Sequence, residues 1–287
     1  MKENKHYKEL QVQEGTYIPD MNLDYPQEYP FERMYHPTYT HEVKVDKNYP
    51  FVDDSLELKL KRWFVYEIVL NIIENFRLRL QFGLRFEGRE ILKKYKQQFK
   101  RGAITLANHC FRKDAEFVLL AIKAKRTTKI PMFAPNFGTK DEFWLRTIGG
   151  IPIPPQEEGM SAYKCFNAAF DEFHKRGSWF HIFPEAARWD WYKPLRPFQK
   201  GAFTWAYKYN IPIIPCVITF RERTGIYKLL GDKSLPLVTV KITEPIFPDT
   251  TQPRQNEVDR MREEAHKQME KAAGITHNPW PIVWENE

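Results

Sequence analysis

A chain of 287 residues with 42% hydrophobic and 15% aromatic residues is long enough to bury a full core and too apolar to be disordered throughout. Its three cysteines show neither a Cys-x-x-Cys pair nor a Cys/His ligand spacing, so we expect reduced thiols and no metal site. The whole net charge of +7 comes from residues 56–101, which hold twelve Lys or Arg against five Asp or Glu. A basic excess confined to one segment indicates an anionic partner surface, either phospholipid head groups or nucleic acid.

Residues 1–54 contain scattered Pro and Tyr without sustained periodicity, which predicts an extended arm. We expect its aromatic residues to pack over the main domain, and an interaction arm is the alternative. The first ten residues carry charges where a signal peptide has an apolar stretch. A cytoplasmic location is therefore expected.

Residues 55–101 predict a basic, amphipathic helical segment. Polar residues interrupt its apolar run before the roughly 18 residues that a membrane-spanning helix needs, so the segment suits a position in the membrane interface. The alternative is a helix that packs on the core. Because this stretch is rich in aromatic residues and no nucleic-acid module is present, we expect a phospholipid membrane surface as partner, on its inner face, and no nucleic acid. The apolar residues that share one broad helical face are Trp63, Phe64, Ile68, Ile72 and Phe76.

From residue 102 onward, short apolar runs alternate with helical stretches, and this pattern predicts one α/β domain over residues 102–287. The expected sheet is mixed and largely parallel, and helices flank it. Strands are predicted at 103–108, 129–135, 178–183, 213–220 and 237–242, and helices at 115–125, 161–176, 200–210 and 254–273.

A first candidate site, residues 108–114, lies where the strand 103–108 ends and a helix begins. His109 and Asp114 are five residues apart, so they point about 140° away from each other in a regular helix and can meet only across a turn. A carboxylate bonded to one imidazole nitrogen fixes the tautomer and leaves the other nitrogen to accept a proton from a hydroxyl group. Alternatively, Asp114 only caps the helix and His109 is a turn residue.

A second candidate site, residues 183–188, follows the strand 178–183. Pro184 ends the strand, and the loop then presents one acid and one base. Arg188 can hold a phosphate bidentately while Glu185 orients it. The alternative is an ordinary surface ion pair.

Taken together, these blocks resemble the PlsC-type glycerolipid acyltransferase family. The resemblance covers about residues 85–245 and includes Asn-His-x-x-x-x-Asp, Gly-Gly-Ile, Phe-Pro-Glu-x-x-Arg, Lys-Gly-Ala-Phe and Ile-Pro-Ile-Ile-Pro, in this order. It implies a glycerol-3-phosphate acyltransferase-like fold, with His109 as general base and Asp114 as its orienting partner. The substrate-binding residues that it implies are Asn108, Gly150, Glu185 and Arg188.

The resemblance implies transfer of a fatty acyl group from acyl-CoA or acyl-ACP to the free hydroxyl of a lysophospholipid similar to 1-acylglycerol-3-phosphate. No covalent acyl-enzyme is expected, and no cofactor beyond the thioester co-substrate. Pro155 stands where the family usually has an arginine that contacts the acceptor phosphate, and Ala186-Ala187 replace the common Gly-Thr. These departures leave two alternatives open: an acyltransferase for another lyso-lipid, such as an amino-lipid, and a non-catalytic membrane-binding relative.

Overall fold

The computed structural model describes residues 4–36 and 38–284, so Pro37 and residues 1–3 of the predicted arm lie outside the described residues. A π-helical segment, Val65–Glu74, joins two of the α-helices. The helices are α1 (Lys5–Glu9), α2 (Leu56–Phe64), α3 (Asn75–Phe82), α4 (Arg89–Lys94), α5 (Asp114–Ala121), α6 (Glu142–Ile148), α7 (Gly159–Lys175), α8 (Gly201–Tyr209) and α9 (Arg254–Ala273). The strands are β1 (Gln11–Val12), β2 (Arg85–Glu87), β3 (Ile104–Leu106), β4 (Ile130–Phe133), β5 (Gly150–Ile153), β6 (Phe180–Ile182), β7 (Ile213–Arg221), β8 (Leu237–Ile242) and β9 (Ile275–His277).

The main sheet of the described chain has five strands in the order β2-β8-β7-β3-β6. Its neighbours are parallel except for β7 and β8, which run antiparallel. The parallel pair β4 and β5 joins the edge of β6 through a parallel bridge between Lys129 and Phe180. The predicted mixed, largely parallel α/β sheet is therefore confirmed.

Helices cover both faces of this sheet. The central strand β7 is buried along nearly its whole length, as expected for a near-continuous apolar run in a sheet that is covered on both sides. One apolar cluster packs α7, α8 and α9 on the sheet through residues such as Phe170 and Met261. A second cluster contains Phe117 of α5 and Leu78 of α3. The candidate site thus stands on a rigid sheet.

The predicted amphipathic segment begins with a continuous helix over residues 56–82, formed by α2, the π-helical segment and α3. Val65, Leu70 and Leu78 bury one side of this helix against the second cluster. Residues 85–87 differ from the helical prediction, because they form strand β2, parallel to β8, and helix α4 follows within the same segment. A three-residue strand is too short to show a two-residue period, so only its pairing with β8 reveals it. Among the described helices, none has the length and apolar character needed to cross a membrane.

The arm lies along the main domain. Strand β1 pairs antiparallel with β9 near the other end of the chain. Tyr25 is buried and packs its ring against Tyr192, 4.6 Å between centroids. Its hydroxyl donates to the backbone oxygen of Asp190 at 2.7 Å. This is the packing that the aromatic residues of the arm were expected to make, and it brings the arm to the candidate site.

Candidate active site

The two loops singled out in the sequence meet at one edge of the sheet. Leu106, the last residue of β3, pairs with Ile182, the last residue of β6, and the two strands are parallel. Their carboxyl ends therefore point the same way, which is where ligands bind in open α/β sheets. His109 follows β3 and Glu185 follows β6, so topology alone brings the two motifs together.

Asn108 fixes the loop after β3 to the neighbouring strand. Its side-chain Nδ2 donates to the Ile218 backbone oxygen at 3.1 Å, and its Oδ1 accepts from the Ile218 backbone N–H at 2.8 Å. The amide thereby continues the β3–β7 pairing beyond the end of β3. The structure thus commits both ends of the side chain to the backbone, although the resemblance implies that this residue binds substrate.

His109 and Asp114 are in contact. The imidazole Nδ1 lies 2.5 Å from Asp114 Oδ2, across a turn that separates the two residues. The carboxylate is 3% exposed, whereas the imidazole is 24% exposed. A proton held on Nδ1 by the carboxylate leaves Nε2 free to accept another proton, as in a serine-hydrolase triad without the serine.

Asp114 is the first residue of α5 rather than its N-cap, which is Lys113. Besides His109, its Oδ2 accepts the backbone N–H of Cys110 at 3.2 Å and of Phe111 at 3.4 Å. The alternative in which Asp114 only caps a helix is therefore wrong, because its bonds point back into the turn. Three donors hold the carboxylate in place against the imidazole.

An aromatic stack supports the imidazole from the side. The ring of Phe183 lies nearly parallel to that of His109, with centroids 4.2 Å apart and an interplanar angle of 15°. His181 meets Phe183 edge-on at 4.6 Å. Burial lowers the pKa of His181 to about 4, so this second histidine is neutral at physiological pH. It packs and positions rather than exchanging protons near pH 7.

Glu185 is buried, and its carboxylate ties the two loops together. It accepts the backbone N–H of His109 at 2.9 Å, the backbone N–H of Arg196 at 2.9 Å and the Arg196 guanidinium at 3.0 Å. Arg196 also donates to the backbone oxygens of Pro30 in the arm and Ala187 in the loop. Glu185 therefore pairs with Arg196, eleven residues further along the chain, and not with the predicted partner Arg188.

The sequence model of the family described as Acyltransferase matches residues 83–219, a range that contains both loops. Residues 83–219 form an acyltransferase-family domain. The prediction of an acyltransferase enzyme, made from the order of the motifs, is confirmed at this level.

No curated protein matches this chain. Among solved structures, it is similar to the 1-acyl-sn-glycerophosphate (LPA) acyltransferase PlsC from Thermotoga maritima, with 20% sequence identity and a TM-score of 0.46. The similarity covers 76% of this chain and 95% of that one.

Arg188, the second charged residue of the loop after β6, pairs with an acid that the sequence analysis did not single out. Its Nε lies 2.9 Å from Asp190 Oδ1, with the two side chains 27% and 16% exposed. Tyr35 of the arm lies under the guanidinium, 4.7 Å from ring centroid to Cζ. Arg188 therefore pairs with an acid, but the acid is Asp190 rather than Glu185, and the pair is largely buried rather than on the surface.

Gly150 begins β5, whose backbone is closely packed. A Cβ at this position would lie 2.7 Å from the Leu145 backbone oxygen and 3.0 Å from Met132 Sδ. Only a residue without a Cβ therefore fits this close backbone contact, and the structure assigns Gly150 no further role.

Arg146 lies nine residues before Pro155, the position at which the family usually has an arginine. Its guanidinium donates to Glu142 at 2.6 Å and to the Tyr49 hydroxyl at 2.6 Å.

The helix 56–82 exposes a broad apolar surface opposite its buried side, and we call it the apolar face. Ile68 of the predicted face is half-buried, whereas the other four predicted members are exposed. Lys59 and Lys61 lie exposed near the start of the helix. The exposed members are Leu56, Leu60, Trp63, Phe64, Ile72, Ile73, Phe76 and Leu80.

Proposed function

We propose that the protein transfers a fatty acyl group from an acyl thioester, on coenzyme A or acyl carrier protein, to the free hydroxyl of a lysophospholipid. The observation that carries the proposal is the 2.5 Å contact between His109 and a buried, backbone-anchored Asp114, within a domain of the acyltransferase family. Its place in metabolism would be phospholipid biosynthesis.

In this mechanism His109 Nε2 takes the proton of the acceptor hydroxyl as the oxygen attacks the thioester carbonyl. The tetrahedral intermediate then collapses, the carbon–sulfur bond breaks, and the leaving thiolate takes the proton from the imidazolium. Asp114 orients the ring and stabilises its positive charge while the intermediate lasts. The acyl group passes directly to the acceptor, with no covalent acyl-enzyme and no cofactor beyond the thioester.

We further propose that the apolar face of helix 56–82 rests in the interface of an anionic membrane. Four aromatic or aliphatic side chains of this face are at least half exposed near the middle of the helix: Phe64, Ile72, Ile73 and Phe76. Exposed Lys59 and Lys61 would lie at the level of the phospholipid head groups. Such a position would keep the protein peripheral, on the cytoplasmic side, and bring the acceptor lipid to the site.

The test is thiol release from palmitoyl-CoA with a panel of lyso-lipid acceptors, comparing the unmodified protein with His109→Ala and Asp114→Asn. Release that depends on an acceptor and falls at least a hundredfold in His109→Ala supports the proposal. If no acceptor raises release above the His109→Ala background, the alternative of a non-catalytic membrane-binding relative replaces it.

A further inference from the structure

Asp190 lies beside the candidate base because its own backbone is fixed there. The residues on either side of Asp190 donate hydrogen bonds to the turn after β3. The Trp189 N–H donates to the His109 backbone oxygen at 3.0 Å, and the Trp191 N–H donates to the Cys110 backbone oxygen at 2.7 Å. Trp191 has a φ of 63°, a left-handed conformation that is costly for a bulky residue. Together with the Tyr25 bond to its carbonyl, these contacts hold Asp190 against the turn that carries His109.

The charges of Asp190 and Arg188 offset each other, and neither group uses its full hydrogen-bonding capacity. Within the described chain, Arg188 Nε and Asp190 Oδ1 make no hydrogen bond, although they lie 2.9 Å apart. The Tyr35 hydroxyl of the arm acts on the Asp190 carboxyl, while the Tyr35 ring lies under Arg188. Burial, together with the charge of Asp114, raises the pKa of Asp190. A nearby cation would therefore stabilise the ionised carboxylate.

The Arg188–Asp190 pair is unfavourable for a dianionic phosphate monoester. An arginine offers such a group a full positive charge only where no carboxylate already neutralises it, and Asp190 also repels the phosphate directly. Another cation of this edge, Lys113, is likewise paired, 2.9 Å from Glu116. A head group that carries both charges fits better, because its phosphodiester can meet Arg188 and its ammonium can meet Asp190.

We propose that Asp190, together with Arg188 and Tyr35, selects a lyso-lipid acceptor whose head group carries an ammonium group next to its phosphodiester. This inference rests on the proposed function and specifies its acceptor. It makes Asp190 a specificity-determining residue, and it gives the arm a part in the site through Tyr35.

The experiment measures kcat/KM with palmitoyl-CoA and three acceptors of equal chain length in the same mixed micelles. Lysophosphatidylethanolamine carries the phosphodiester and the ammonium, lysophosphatidylglycerol carries only the phosphodiester, and lysophosphatidate is the phosphate monoester. We expect the unmodified protein to prefer the ethanolamine lipid to both others. Asp190→Asn lowers kcat/KM for that lipid roughly tenfold relative to the glycerol lipid, because it removes one charge-assisted contact.

Two further variants separate this role from a structural one. Tyr35→Phe removes the hydroxyl that acts on the Asp190 carboxyl and keeps the ring under Arg188, so it shifts the acceptor ratio in the same direction but less. Asp249→Asn removes an equal charge at an exposed loop where Asp249 bonds Thr251, and the ratio should not change. If Asp190→Asn proves unstable, Tyr35→Phe alone carries the test.

The inference is overturned if lysophosphatidate is the preferred acceptor, or if Asp190→Asn lowers kcat/KM for all three acceptors by the same factor. In either case His109-dependent release would still support the proposed function. If no acceptor gives release that His109→Ala abolishes, the proposed function fails and this inference fails with it.

Discussion

Replacing Arg196 by Met should destabilise the protein strongly, because it strands a buried acid. Arg196 and Glu185 are 1% and 3% exposed and lie 3.0 Å apart. Removing one partner of a buried ion pair typically costs about 3–5 kcal/mol. Two backbone N–H groups, those of His109 and residue 196 itself, still reach the Glu185 carboxylate in the variant. We therefore expect the lower end of that range, about 3 kcal/mol.

The measurement is urea unfolding followed by tryptophan fluorescence, with the midpoint and the slope compared between variants. The matched control is Arg176→Met, since Arg176 also donates to a carboxylate with two bonds, 2.8 and 2.9 Å to Asp54, but is 42% exposed. That change should leave the unfolding midpoint almost unchanged, because exposed ion pairs contribute little to stability. Adding Glu185→Gln to Arg196→Met should recover part of the loss. If Arg196→Met costs no more than the control, the buried pair does not hold the two loops as described.

Three further predictions test separate parts of the account. Asn108→Ala should cost about 1–3 kcal/mol of stability, because it leaves both backbone groups of Ile218 without their partner. It should lower Tm and leave the KM of the acceptor unchanged. A rise in KM with no loss of Tm would favour the substrate-binding role. Burial, helped by nearby cations, lowers the pKa of Lys129 to about 7. The protonated amine therefore opposes folding fully below that pH. This penalty falls as the pH rises toward about 10.4, the pKa of lysine in the unfolded chain. Tm should therefore rise with pH in this window, and it should rise less in Lys129→Met. The double change Trp63→Ala and Phe76→Ala should weaken sedimentation with anionic vesicles at least tenfold. The control Phe247→Ala, at an exposed site near α9, should not weaken it. Equal losses would contradict the membrane role of the apolar face.

Much of the fold could be predicted where apolar periodicity is strong and sustained. The bounds of β8 and α9 agree with the predicted 237–242 and 254–273, because β8 is a short apolar run after Pro236 and α9 lies between Pro253 and Gly274. Strand β2 and the pair of β1 with β9 could not be predicted. These strands have two or three residues each, so their existence depends on a partner that is distant in sequence.

The candidate site divides in the same way. His109 and Asp114 could be predicted as a pair from the resemblance to the PlsC-type family, whereas their spacing alone left the helix-cap alternative open. The partners of Glu185 and Arg188 could not, since Arg196 and Asp190 belong to a loop without periodicity, and only the parallel pairing of β3 and β6 places that loop on the turn after β3. The buried position of Arg196 also runs against the general exposure of arginine, so composition gave no signal for it.

The central claim is that His109 promotes direct acyl transfer to a lipid hydroxyl. Its most direct test follows the acylated lipid product by mass spectrometry, using an isotopically labelled acyl thioester and comparing the unmodified protein with His109→Ala after circular dichroism has shown both to be folded. We predict a labelled ester on the acceptor, no labelled acyl group on the protein, and a rate about 10²–10⁴-fold lower in the variant. A labelled protein, or a variant that forms the ester at an undiminished rate, would contradict the account.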